Sequence, residues 1–438
     1  MRQRFGAVLR RFPRGLRAIQ AVRRWSLRAK DEVAFALTIA ALTALRPFKV
    51  VRLARFRSEK IGHFISETDL ALALLADASH PTSRPMQNVF IMPATACNEQ
   101  VRLMYVRAFR ALPGVTVLDC RSSHVGRILL GPAKTLTRRV QTGGRFGRFF
   151  CGSPTSEGIH HTSLRSDALP VLTFTKGEEA EGWRLLHNWG IKPTTPFVCF
   201  HVRDGAYLAA THPERSWAYH DYRNPDVESY VPMVQELLDR GYTVIRMGRL
   251  AERAFPLSHE RFIDYPELAE QSDLLDVFVY AHARLGIAGS ASGIDQFGYA
   301  FDAPSVVTDL VPFQPKMAVS QLVVTPCLLR SSATGELLPL SDMLRHQYFT
   351  SHEYESRGIE IVRNTAFEIQ ETVLEALSLG QPEGGEPHRD EALQSDFWEW
   401  AEHCGLSKGT RLGNQTSRYH TPRIGSAFLA RHKAVLMA

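Results

Sequence analysis

Several signatures that would assign a chain of this length at once are missing. Six cysteines (Cys97, Cys120, Cys151, Cys199, Cys327 and Cys404) include no CxxC pair and no zinc-like histidine spacing. That excludes a zinc module and a disulfide scaffold, and it suits reduced, mostly buried thiols in a cytoplasmic setting. There is no D-x-D pair for a metal-bridged diphosphate, no G-x-G-x-x-G fingerprint, and no lysine placed as in a Walker A loop. Neither a metal nor a resident cofactor is therefore expected. Repeats at the 20 to 50 residue periods of solenoids are also absent.

Acidic residues are lacking from Met1 to Lys30. The first 60 residues hold 13 Arg and 3 Lys against Asp31, Glu32 and Glu59, a net +13 that leaves −6 for the rest of a chain whose overall charge is +7. A basic arm on a mildly acidic body does not suit a nucleic-acid binder. Behind the arm, Val33 to Leu45 is 13 residues without a charge. A membrane-spanning helix needs about 20. Arg46, Lys49, Arg52, Arg55 and Arg57 follow at once, which does not suit a signal peptide. Residues 1–46 are read as an amphipathic arm lying on an anionic membrane surface, peripheral to the inner face of the cell membrane; the alternative is a solvated basic tail beside an ordinary buried helix.

What is present is an alternation of short apolar runs and helical periods. A strand over Phe48–Phe56 precedes a helix from Ile61 to Ala78, and strands at Asn88–Met92 and Val115–Leu118 flank a helix from Asn98 to Leu112. Residues 120–170 are rich in Gly, Ser, Thr and Arg and read as a surface loop. A second series begins after a helix from Lys176 to Trp189 that stops at Gly190. It has strands at Phe197–Val202, Thr243–Met247, Arg261–Asp264, Leu285–Ala288 and Ser305–Val307, with helices Val227–Arg240, Ser272–Ala283 and Asp295–Ala300 among them. The fold class is α/β, with two Rossmann-like domains over 47–190 and 191–380. Residues 381–438 read as a Gly/Pro/Glu linker, Gly380 to Pro387, and an appended helical tail.

Parallel sheets bind ligands beyond the carboxyl ends of their strands, so four loops are candidates. His201-Val202-Arg203-Asp204 ends a strand, and an arginine there can grip a diphosphate. Gly289-Ser290-Ala291-Ser292-Gly293 lets the backbone approach a phosphate at a helix start. Arg246-Met247-Gly248-Arg249 ends another strand and faces a base or ribose in this reading. Glu59-Lys60-Ile61-Gly62-His63 places His63 at the start of a helix as a general base, with Glu67 one turn on to share or orient that role.

The stretches Pro196 to Leu208 (PFVCFHVRDGAYL), His220-Asp221-Tyr222-Arg223-Asn224, and Gly241 to Gly248 (GYTVIRMG) resemble a glycosyltransferase family of bacterial surface carbohydrate loci. Arg57 to His63, Gly289 to Gly293, Leu393 to Trp398 and Arg423 to Leu429 are similar to it as well, so the resemblance runs from about residue 47 to the last residue. It implies a GT-B enzyme whose N-terminal domain takes the acceptor and whose C-terminal domain takes a nucleotide sugar. His201-x-Arg203 is also similar to the donor motif of α1,6- and protein O-fucosyltransferases, where the arginine contacts the donor diphosphate; here Asp204 stands in place of their second arginine. Gly62-His63 resembles the glycine-histidine of lipid-linked N-acetylglucosaminyltransferases of cell-wall synthesis.

The resulting expectation is a metal-independent transferase. His201, Arg203, Arg223, Arg246, Gly248, Gly289, Ser290, Ser292 and Gly293 bind the donor; His63 or Glu67 is the base; the acceptor is a glycan, lipid-linked if the arm holds the enzyme on a membrane. The rival is a catalytically silent sugar-binding or complex-organising protein of the same fold. Slow hydrolysis of a nucleotide sugar without acceptor separates the two.

Overall fold

The structure, a computed structural model, describes residues 13–76, 85–143, 146–152, 172–211, 213–214, 216–313, 322–379, 390–404 and 422–438. The first 12 residues of the arm, Gly144 and Arg145, and the linker Gly380 to Pro387 lie outside them. The chain forms two compact units. One comprises described residues of Met1–Ser58, Asp77–Thr95 and Phe109–Ser156; the other comprises those of Glu59–Ala76, Ala96–Ala108 and Glu157–Ala438. His63 and Glu67 thus belong to the second unit.

The first unit holds strands β1 (Val50–Arg55), β2 (Met86–Met92) and β3 (Val115–Asp119), parallel and in that order. Phe56, Phe90 and Phe109 pack beside them, with ring centres 4.6 to 5.5 Å apart. Two helices complete the unit, Pro13–Leu45 and His124–Gln141. The second replaces the surface loop read from the sequence at this point. Ser123 caps it by accepting from Gly126 N at 3.0 Å, and its buried face is made of Gly126, Pro132, Ala133, Thr135, Leu136 and Thr137. Small and hydroxylated residues carry no apolar period, and Thr137 hides its hydroxyl by donating to Ala133 O at 2.8 Å. The arm helix docks on this one: Glu32 accepts from Arg138 and Arg139, and buried Phe35 meets Phe146 edge-on under the Arg139 guanidinium.

The second unit is built on strands β4 (Phe197–Val202), β5 (Thr243–Arg246), β6 (Phe262–Asp264), β7 (Gly286–Gly289), β8 (Ser305–Leu310) and β9 (Leu322–Pro326), followed by β10 (Leu328–Ser331), β11 (Ile359–Val362) and β12 (Arg423–Ile424). Seven of these make one parallel sheet in the order β12-β9-β8-β7-β4-β5-β6, while β10 and β11 pair antiparallel. From β4 the chain winds outward through β5 and β6, then returns to lay β7, β8 and β9 on the other side. This is the doubly wound order, with its reversal between β4 and β7. Local signals set the helices: Thr175 and Glu178 form a reciprocal capping box before Lys176–His187, and Ser272 caps Asp273–His282 by accepting from Leu275 N.

The segment read as an appended tail is part of this unit. Arg423 and Ile424 pair with Val323 and Val324 as the sheet's edge. Phe397 and Trp398 from helix Glu391–His403, with Phe428 and Leu429 from helix Ser426–Leu436, join the core under β8 and β9. Aromatic and leucine side chains that look like an amphipathic tail in sequence are covered because a strand between the two helices adds to the sheet.

Candidate functional site

The reversal of winding leaves a crevice outside the carboxyl ends of β4 and β7. The two strands run in register there, His201 beside Ala288 and Val202 beside Gly289, and Arg203 N donates to Gly289 O at 3.4 Å. The HVRD segment and the Gly289–Gly293 loop, whose first residues His201 and Gly289 are 88 positions apart in the chain, leave the sheet side by side.

Close backbone approach shapes the loop. A Cβ on Gly289 would lie 2.6 Å from the hydroxyl of Tyr230, which is held by Thr308 at 2.8 Å and Asp309 at 2.9 Å. Gly293 packs on Gly62, where an added Cβ on either would come within 3.0 Å of the other's backbone. Between them Ser290 takes φ 64° and is fully buried, and Ser292 N donates to Asp295 at 2.6 Å. Burial raises the Asp295 carboxyl to about 7, against the pull of Ser292 N–H and the Arg223 and Arg203 charges. The helix that follows, Gln296–Phe301, is only six residues long, so the arginines rather than its dipole supply most of the positive field.

Arg203 and Arg223 stand close enough to repel. Burial, and then Arg223, lower the Arg203 guanidinium to about 10. Arg223 donates to Ala291 O in the loop itself. His201 meets Ser292 Oγ at 3.3 Å through Nε2, and burial together with the charges of Arg246 and Arg203 pushes it down to about 3, so it is neutral near pH 7. Polar atoms buried without a hydrogen-bond partner gather here: His201 Nδ1, His220 Nδ1, Arg223 Nε, Asn224 Oδ1, Ser290 Oγ and Asp295 Oδ1. Buried polar groups are normally satisfied, so such a cluster beside two facing arginines marks a place for an anionic, hydrogen-bonding ligand.

His63 lies one residue beyond the Gly62–Gly293 contact, on helix Ile61–Ala76. Its Nδ1 is 3.1 Å from Glu67 Oε1, with His63 one-third exposed and Glu67 nearly buried. A carboxylate on Nδ1 selects the tautomer that leaves Nε2 able to accept a proton.

Arg246 is placed differently from its sequence reading. It is 3% exposed, donates to Arg253 O at 3.0 Å and pairs with Asp264, its direct neighbour across β5 and β6. Its charge is met inside the fold, and it reaches the site only through its effect on His201. Gly248 has φ 135°, a backbone requirement of the turn, and Arg249 bridges Asp273 and Asp276. Sequence reasoning passed over Lys60, Trp217, His220 and Asp295 as site residues. Lys60, in the loop before His63, and Asp295, directly behind the glycine-serine loop, carried a positional signal. Among the described residues no group of three His, Cys, Asp or Glu side chains is placed to hold a metal ion, and no helix is long and apolar enough to cross a membrane.

No protein-family model matches the chain, and no curated protein does. Among solved structures it is similar to the E. coli ADP-heptose lipopolysaccharide heptosyltransferase II, at 13% identity and a TM-score of 0.38 over 63% of this chain and 90% of that one. It is also similar to a family 9 glycosyl transferase from Veillonella parvula, at 10% identity and a TM-score of 0.44 over 75% and 98%. A third is the E. coli heptosyltransferase WaaC with ADP-2-deoxy-2-fluoro heptose, at 13% identity and a TM-score of 0.32 over 64% and 93%.

Proposed function

We propose that this chain is a glycosyltransferase of the GT-B kind that moves a sugar from a nucleotide diphosphate sugar to a glycan acceptor in surface carbohydrate assembly. The observation that carries this reading is the pairing of Arg203 and Arg223 around the Gly289–Gly293 loop, at the winding reversal of a nucleotide-binding sheet order. The donor diphosphate lies between the two guanidinium groups. His63, oriented by Glu67, takes the proton of the acceptor hydroxyl. The acceptor oxygen bonds to the anomeric carbon as the bond from that carbon to the phosphate oxygen breaks. The negative charge released onto the diphosphate is met by the arginines, so the chemistry needs no metal. A thermal-shift panel of UDP-, GDP-, ADP-, CMP- and dTDP-sugars tests this: the true donor at 100 times its dissociation constant adds about 2.7 kcal/mol of stability. A panel without any shift overturns the donor reading.

The acceptor is lipid-linked and the enzyme works on an anionic membrane surface in this reading. Helix Pro13–Leu45 buries Phe35 and Leu42 but leaves Val33, Leu37 and Leu45 at 49 to 67% exposed on another face, with Phe48 beyond. An apolar stripe behind an Arg-rich, acid-free start is the pattern of an interfacial helix. Burying one such side chain contributes roughly 1.5 to 3 kcal/mol. Leu37→Asp with Leu45→Asp is therefore expected to weaken co-sedimentation with vesicles of phosphatidylcholine and phosphatidylglycerol by at least about tenfold, at unchanged melting temperature. Equal binding to neutral vesicles, or no effect of the pair, removes the membrane from the scheme. These variants are cleaner than truncation at Arg46, which would strip Phe35, Leu42 and Glu32 from the first unit.

A further inference from the structure

Arg223 is the last residue of a 3-10 segment, Ala218–Arg223, whose backbone is pinned from outside. Ser351 Oγ accepts from Tyr222 N at 3.1 Å and donates to Ala218 O at 2.9 Å, and Arg363 donates to the carbonyls of Tyr222 and Asn224. The clamp leaves the side chains of the segment little freedom. His220 lies 4.0 Å from the Tyr219 ring and nearly parallel to Trp217 at 6.3 Å, and the Lys60 ammonium is 4.8 Å above the Trp217 ring. Lys60, Arg203 and Arg223 all act on the His220 imidazole. His220 Nδ1 is buried and has no hydrogen-bond partner among the described residues.

We infer that His220 is a phosphate-contacting residue of the donor site, which takes up a proton from solution as the diphosphate arrives and then donates it in a hydrogen bond to a phosphate oxygen. This deepens the nucleotide-sugar reading and rests on it. Burial first, and then the three cations, hold the free imidazole down at about 4, so it is neutral near pH 7. A diphosphate between Arg203 and Arg223 cancels their field and offers an acceptor, which favours the protonated ring. No covalent bond is made; one proton moves from buffer to imidazole.

The remaining groups around the segment are named by where they stand. Asp221 holds Asn224 Nδ2 at 3.1 Å, Tyr222 packs on Tyr354, Glu353 donates its N–H to Thr350, the cap of the Ser351–Ser356 helix, and His201 and Asp295 belong to the β4 and β7 ends. Two of these, His201 and Asp295, also gain affinity for a proton when an anion binds, so variants are needed to assign the uptake. The sign is fixed by linkage: a group whose proton affinity is higher in the complex makes binding tighter as pH falls, by up to about tenfold per unit between its free and bound values.

The test is calorimetric titration of the full chain at pH 6.5, in PIPES and in bis-Tris, with whichever sugar nucleotide of the thermal-shift panel stabilises it most. Such a phosphodiester does not titrate in this range, so the difference between buffers counts protons bound by the protein. Wild type is expected to take up a net fraction of a proton and to bind about tenfold more tightly at pH 6 than at pH 8. His220→Gln, checked for an unchanged melting temperature, is expected to lose most of the uptake and most of the pH slope, whereas His201→Gln keeps both. No uptake by wild type overturns the proposal without any variant, and so does uptake that survives His220→Gln. If no sugar nucleotide binds at all, the donor reading falls and His220 loses its role with it.

Discussion

Replacing Arg203 by alanine is expected to weaken sugar-nucleotide binding by roughly 1.5 to 3 kcal/mol, about ten- to a hundredfold in dissociation constant, while the protein without ligand melts at the same temperature or higher. The two halves of this expectation have one cause. Arg203 is half-buried beside Arg223, and burial and that like charge together lower its guanidinium to about 10. Asp221 and Asp295 offset these effects only in part, because the net shift is still downward. In the free protein the pair stores repulsion, which a diphosphate relieves; deleting one member removes the repulsion and the ligand contact together. Arg246 provides the contrast. It too is an arginine that ends a strand, but it is buried against Asp264, and removing one partner of a buried ion pair costs about 3 to 5 kcal/mol of stability. Arg246→Ala should therefore melt early. Unchanged donor affinity in Arg203→Ala, or a melting loss as large as that of Arg246→Ala, would count against the assignment.

His63→Ala is expected to lower kcat by about 10² to 10⁴-fold with donor affinity almost unchanged, since a general base acts on the acceptor hydroxyl and not on the diphosphate. Glu67→Gln is expected to cost less. Its amide oxygen can still accept from Nδ1 at the 3.1 Å position now held by the carboxylate, so the ring keeps its tautomer and loses only the charge behind it. Steady-state kinetics with the identified donor, alongside donor binding measured separately, checks both. A His63→Ala enzyme that turns over normally moves the base elsewhere, and parallel losses in binding and turnover would make His63 a packing residue behind the Gly62–Gly293 contact.

The elements that were legible in the sequence are those whose signals are local. The run Phe197–Val202 is apolar on both faces, as a central parallel strand must be, and the structure has a strand over the same six residues. Gly190 and Gly241 both take positive φ after helices, as their positions implied. The His124–Gln141 helix was hidden because its buried face is small and hydroxylated, and because Pro132 lies inside it. That face becomes readable only against the arm helix that covers it.

The same division separates the strand-end arginines. Residue type and position made Arg203 and Arg246 equivalent candidates, each a cation at the end of a strand, and Arg223 came only from the family resemblance. Register decided between them: β6 brings Asp264 next to Arg246, whereas β7 brings the Gly289–Gly293 loop next to Arg203 and sends its Ala291 carbonyl to Arg223. His220 and Lys60 became site residues in the same way, since 160 positions of chain separate Lys60 from His220 and only folding places both beside Trp217. Composition, apolar period and capping residues act over a few neighbours, so they specify the α/β alternation and the basic arm from the chain alone. Which charges are neutralised and which are left facing a ligand depends on strand order and register, which no local stretch of residues contains.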